Sequence, residues 1–116
     1  MNRIVSKQQP LQHYHWGAAC DGWNLVAEEG LSVKLERMPA GTAEIAHYHK
    51  QAQQFFYILK GAATFEIENT FTQLNAGEGL HIRAGETHRI LNNGNTDLEF
   101  ILCSQPATAA DRTNCE

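Results

Sequence analysis

Between residues 22 and 104 the chain alternates apolar and polar positions in short runs, broken every six to twelve residues by Gly, Pro, Asn or Asp. Leu31, Val33 and Leu35 alternate with Ser32, Lys34 and Glu36, the period-2 mark of a strand with one buried face. Residues 54–60 are aromatic and aliphatic on both faces, which predicts a central strand or one covered on both sides. Phe65 and Ile67 alternate with Thr64, Glu66 and Glu68, and Asn69-Thr70 is placed to be a hairpin tip before the return at 71–74. Further strands are predicted at 23–27, 80–82, 87–91 and 97–103, with a weak one over 42–49. No segment carries a helical period, so an all-β sandwich or barrel follows from the pattern. Residues 1–22 form an N-terminal arm with one short edge strand, 23–104 the barrel, and 105–116 a tail with one frayed helical turn.

Length and composition narrow the function classes. A chain of 116 residues is one domain, long enough for a self-sufficient core. The net charge of −4 comes with no basic cluster, which argues against nucleic acid and anionic membrane as partners. No apolar run is long enough to span a bilayer, and the first residues lack a signal-peptide core, so a cytoplasmic location is expected. Cys20, Cys103 and Cys115 are too scattered for a disulfide framework or a zinc knuckle. Cys103 is expected as a buried small hydrophobe and Cys115 as a loose tail thiol.

Chemistry concentrates in residues 41–61, GTAEIAHYHKQAQQFFYILKG, and 77–92, GEGLHIRAGETHRILN. On a strand His47 and His49 share a face, with Cα atoms roughly 6–7 Å apart, so their imidazoles can converge on one ion. The pattern alone is weak, because His13-Tyr14-His15 repeats it in the arm, where it is expected as surface or packing histidines or at the mouth of a pocket. What distinguishes the second pair is its setting: Gly41 six residues before His47, Gln54 five after His49, Gly61 seven after Gln54, then Gly77, Gly85, His88 and Asn92.

These two segments resemble the two sequence motifs of the cupin superfamily, G-x5-H-x-H-x4-E-x6-G and G-x5-P-x-G-x2-H-x3-N. Every fixed spacing is met, and two fixed positions differ: Gln54 stands where the family has Glu, and Arg83 where it has Pro. The resemblance implies a small single-domain double-stranded β-helix, the jelly-roll barrel of cupins. It further implies one divalent transition metal held by His47, His49, Gln54 and His88, and a homodimer. Imidazole and amide ligands suit Zn, Ni, Fe, Mn or Cu without choosing among them.

Glutamine in place of glutamate removes one negative charge from the ligand set, so the ion should favour anionic oxygen ligands such as sugar acids or keto acids. By strand parity Phe56, Ile58 and Ile90 are expected to wall the pocket, with Arg83 and Asn92 as polar candidates at its edge. Arg37, Tyr48 and His81 are further polar candidates, and Trp16 and Trp23 are expected to cap the core. The ligand set is similar to that of cupins that ketonise unsaturated uronates. Their Asp-x-Phe-x-Pro-x-Arg pattern is absent, however: aligned on Pro106, this chain has Leu102, Ser104 and Thr108 at those places. Three functions therefore stand open: a metal-dependent isomerase or lyase acting on a small oxygen-rich anion, a metal-dependent dioxygenase, and a non-catalytic small-molecule-binding or accessory barrel.

Overall fold

In the computed structural model, which describes residues 2–115, the chain folds into eleven strands and no helix among those residues. They are β1 (Gln12–Trp16), β2 (Cys20–Ala27), β3 (Ser32–Met38), β4 (His47–Tyr48), β5 (Gln53–Lys60), β6 (Ala62–Ile67), β7 (Thr70–Asn75), β8 (Gly79–Ile82), β9 (His88–Leu91), β10 (Leu98–Gln105) and β11 (Thr113–Asn114). Two antiparallel sheets face each other, one ordered β1-β2-β3-β10-β5-β8 and the other β11-β4-β9-β6-β7. The all-β architecture expected from the alternation, and the jelly roll that the cupin resemblance implies, are the fold observed. Glu68 and Asn69 adopt φ of 48° and 69° at the β6–β7 tip, one residue earlier than the sequence suggested. Such left-handed pairs match the twist of a tight hairpin.

The core fills the space between the sheets. Met38, Phe56, Ile58, Phe65, Ile82, Ile90, Leu98 and Phe100 are buried there. Phe56 meets Phe65 edge-on at 4.9 Å and Phe100 at 5.6 Å, contacts that add roughly 0.5–1.5 kcal/mol each beyond their area.

Strand β3 reverses the expected parity. Ser32, Glu36 and Met38 are its buried positions, Val33 and Leu35 are half-buried, and Leu31 is exposed. The cause lies in its neighbours. Leu35 pairs with Ile101, which pairs with Tyr57, so β3, β10 and β5 share an apolar outer face. The alternation on β3 traces that outer face, while the inner face is polar where it lines a cavity. On β5, Phe55, Tyr57 and Leu59 are 42%, 39% and 45% exposed, and no layer of the described residues covers them.

Three further expectations change. The 42–49 strand shrinks to β4 plus a bridge between Ala43 and Leu91. The tail carries β11 instead of a helical turn: Thr113 and Asn114 pair with Tyr48 and His47, which ties the tail to the smaller sheet. Cys20 is the fully buried thiol, whereas Cys103 is half-buried on the outer face and Cys115 is anchored by its N–H to the Ala46 carbonyl at 2.7 Å.

Candidate metal centre

The site begins with strand register. His47 on β4 lies directly opposite His88 on β9, and Gln54 on β5 lies opposite Ser104 on β10. His49 follows His47 on the same face as the chain leaves β4. All four side chains of His47, His49, Gln54 and His88 are buried between the sheets.

Each imidazole is oriented from behind by a main-chain carbonyl. His47 Nδ1 donates to Ile45 O at 2.8 Å, His88 Nδ1 to Glu86 O at 2.9 Å, and His49 Nδ1 to Asp111 O at 2.6 Å. With Nδ1 carrying the proton, Nε2 presents its lone pair, the arrangement by which outer contacts fix metal-binding histidines. The three rings converge, each offering a nitrogen within 4.8 Å of the others. Gln54 is turned the same way: its amide Nε2 donates to Ser104 Oγ at 3.0 Å, and its Oε1 lies 3.1 Å from His88 Nε2.

Burial holds these rings neutral. It pushes the His47 pKa down to about 3, and lowers those of His49 and His88. A neutral imidazole is the form that binds a cation. His49 Nε2 has no hydrogen-bond partner among the described residues although it is buried. An orphaned polar atom in such a place costs about 1–3 kcal/mol, so it calls for a ligand. The donor set, three imidazole nitrogens and an amide oxygen, suits a borderline divalent ion.

The cavity over His47, His49 and Gln54 has a volume of about 180 Å³, and His88 stands behind them. Trp16, Phe56 and Leu102 supply its apolar wall, and Tyr14, Lys34, Glu36, Glu44, Thr108 and Arg112 its polar one. Tyr14 donates its hydroxyl to the Glu36 carboxylate. The ring reaches that position because its partner across the strands is Gly22, where a Cβ would stand 2.1 Å from it. Burial raises the Glu36 pKa, and burial together with the Glu36 charge pushes Glu44 up to about 8. Arg112 Nη1 reaches Glu44 Oε2 at 3.7 Å from the tail.

Of the pocket neighbours inferred by parity, Phe56 lines the cavity. Ile58 and Ile90 pack in the core beyond it. Asn92 is buried too, but it ties together the Met38 and Thr96 carbonyls and the Gly94 N–H, a turn-holding role. Arg83 is exposed in the turn after β8, outside the cavity lining, because that turn lies at the sheet edge. Arg37 is paired with Asp21 and Asp97, His81 with Gln53, and Tyr48 faces outward on β4. Trp23 lies on the outer face, stacked on His13. Sequence reasoning missed Tyr14, Glu36, Glu44, Arg112 and Asp111. The one available signal was Tyr14 itself, an inward position flanked by two histidines on an edge strand.

A family model described as a cupin domain matches residues 34–104. The chain is a cupin. Among curated proteins, this cupin is 35% identical over 83 residues to an oxalate-binding protein of Thermotoga maritima, a match covering 67% of this chain and 69% of that one. It is 28% identical over 76 residues to an uncharacterised protein of Methanocaldococcus jannaschii, covering 66% of this chain and 61% of that protein's length. Among solved structures, a predicted oxalate decarboxylase from Thermotoga maritima superposes with a TM-score of 0.80 at 22% identity, over 90% of this chain and 100% of the other. That likeness concerns the fold.

Proposed function

We propose that this cupin holds one divalent transition metal on His47, His49, Gln54 and His88 and uses it to bind a small carboxylate-bearing anion, such as a dicarboxylate, keto acid or sugar acid. The observation that carries the proposal is the buried His49 Nε2, oriented by Asp111 and lacking a partner inside a cluster of neutral imidazoles. When bound, the ion supplies Lewis acidity toward an anionic oxygen. The protein's own groups do the rest. Gln54 leaves the ion's charge uncompensated, Lys34 and Arg112 add positive charge at the cavity wall, and Trp16, Phe56 and Leu102 keep the site poor in water. The likeness to an oxalate-binding protein supports a small carboxylate as the ligand class.

Calorimetric titration of oxalate and of a monocarboxylate keto acid tests this. Binding to zinc- or manganese-loaded protein and none to chelator-stripped protein is expected. Equal binding to both forms would sink the proposal.

One observation favours catalysis over binding alone. Glu36, with Tyr14 hydrogen-bonded to it, and Glu44 share the cavity with the metal-type cluster. A carboxyl whose pKa is raised toward neutrality can give or take a proton at neutral pH. An isomerase or lyase moving a proton beside a carboxylate fits that set. We further propose that a second copy of this chain covers Phe55, Tyr57 and Leu59, giving a homodimer.

A further inference from the structure

The first His-x-His pair is unused by the cavity. β1 sends Tyr14 and Trp16 into the cavity wall, and His13 and His15 toward the opposite, outer face. There His15 lies directly across from Asp21 on β2, and His13 across from Trp23. Asp21 Oδ1 stands 3.1 Å from His13 Nε2 and 3.0 Å from His15 Nδ1, and the two rings are 5.0 Å apart.

Two of these three groups are already oriented. The other carboxylate oxygen, Asp21 Oδ2, accepts from Arg37 Nε at 3.1 Å and also from its Nη2, which leaves Oδ1 facing the imidazoles. The His13 ring is stacked on Trp23 at 5.1 Å with the planes 5° apart. His15, with its side chain 78% exposed, is free to adjust.

We propose that His13, His15 and Asp21 form a second metal site, for a borderline divalent cation such as Zn(II). Ligand bonds of about 2.0–2.1 Å in tetrahedral geometry separate ligand atoms by roughly 3.3 Å, close to the observed spacing around Oδ1. All three ligand atoms lie within 4.8 Å of one another. Two imidazoles and one carboxylate select zinc-type ions over magnesium or calcium, which prefer all-oxygen sites. The local charge permits a cation. Arg37 is shared between Asp21 and Asp97, the latter at 3.0 Å, so two carboxylates face one guanidinium. Lys7 lies over the Trp23 ring and is paired with Glu99 at 3.5 Å. The fourth position opens to solvent.

The site is coupled to the cavity by the strand that carries it. Trp16 Nε1 donates to the Asp21 carbonyl at 3.1 Å, and Tyr14 is bonded to Glu36. An ion on the outer face therefore fastens β1, whose inner face walls the buried histidine cluster. This inference stands apart from the proposed function, because none of its ligands belongs to that cluster.

The test is a count. Chelator-stripped wild type and His15→Ala are dialysed against the same free Zn(II) and bound metal is measured by elemental analysis. Wild type should hold one equivalent more than His15→Ala, whatever the primary site takes up, and Asp21→Asn should weaken that extra equivalent by at least about tenfold. Zinc should also slow hydrogen exchange of the β1 amides more in wild type than in His15→Ala, in which the buried cluster can still take up the ion. Equal zinc stoichiometry in the two proteins overturns the site, as does an extra equivalent taken up from magnesium as readily as from zinc. His15 is exposed, so its removal leaves the fold intact.

Discussion

His49 donates its Nδ1–H to the main-chain carbonyl of Asp111 at 2.6 Å, across 62 residues of chain. The Asp111 carboxylate meanwhile accepts the main-chain N–H groups of Lys50, Gln51 and Ala52 at 2.9 Å each, closing the loop that follows His49. One residue of the tail thus fixes both a ring and the turn beneath it. Asp111→Ala should weaken zinc binding about 10- to 100-fold in a chelator competition, with Asp111→Asn recovering part of the loss. A change in melting temperature alone, with affinity preserved, would contradict the orienting role.

Acid should release the same strap. The Asp111 carboxyl is held below its ordinary 3.8, first by the Gln51 N–H and then by those of Ala52 and Lys50. A depressed folded pKa means the contribution is complete above the unfolded value and disappears as pH falls through the folded one. The amides of Lys50, Gln51 and Ala52 should stay protected from exchange at pH 5 and still at the ordinary 3.8, and lose protection only as the pH falls further. Loss of protection already between pH 5 and 3.8 would rule this out.

Gln54→Glu should tighten metal retention and weaken the affinity for a carboxylate ligand, because the added charge neutralises part of the ion's. Ser104 Oγ, which now accepts from the Gln54 amide, can turn to donate to a carboxylate, so the substitution should fold. Calorimetry with oxalate on the zinc-loaded variant reads the effect. Unchanged affinity would show that ligand-set charge does not govern anion binding.

Tyr14→Phe removes the hydroxyl that satisfies Glu36 and should destabilise the protein by about 1–3 kcal/mol in urea denaturation at neutral pH. Glu36→Gln should do the reverse near pH 7. Burial raises the Glu36 pKa, so the charged form is disfavoured in the folded state, and stability is lost as pH rises above the unfolded value. An amide keeps an acceptor for Tyr14 without that penalty. If both variants lose stability equally, the raised pKa is not the controlling feature.

The outer face of the larger sheet should hold a second copy of the chain. Tyr57→Lys places a charge between Phe55 and Leu59 and should convert a dimer to a monomer in sedimentation, with metal content unchanged. A wild-type protein that sediments as a monomer at high micromolar concentration would exclude this use of the face.

Sequence alone carried the strand rhythm and the all-β class, because period-2 alternation and local turn chemistry are properties of short segments, and the motif resemblance carried the jelly roll and the grouping of His47, His49, Gln54 and His88. It could not choose the inner face of β3. Period 2 says which residues share a face, and when the outer face is apolar too, hydrophobicity points the wrong way: Leu35 lies outside and Glu36 within. The residues that surround the candidate metal cluster were out of reach for another reason. Tyr14 comes from the edge strand, Glu36 and Glu44 from either side of a turn, and Asp111 and Arg112 from the tail. Their meeting depends on antiparallel pairings across most of the chain, which no local pattern encodes. Tertiary structure therefore decided that Tyr14, Glu36, Glu44 and Arg112 share a cavity with Gln54.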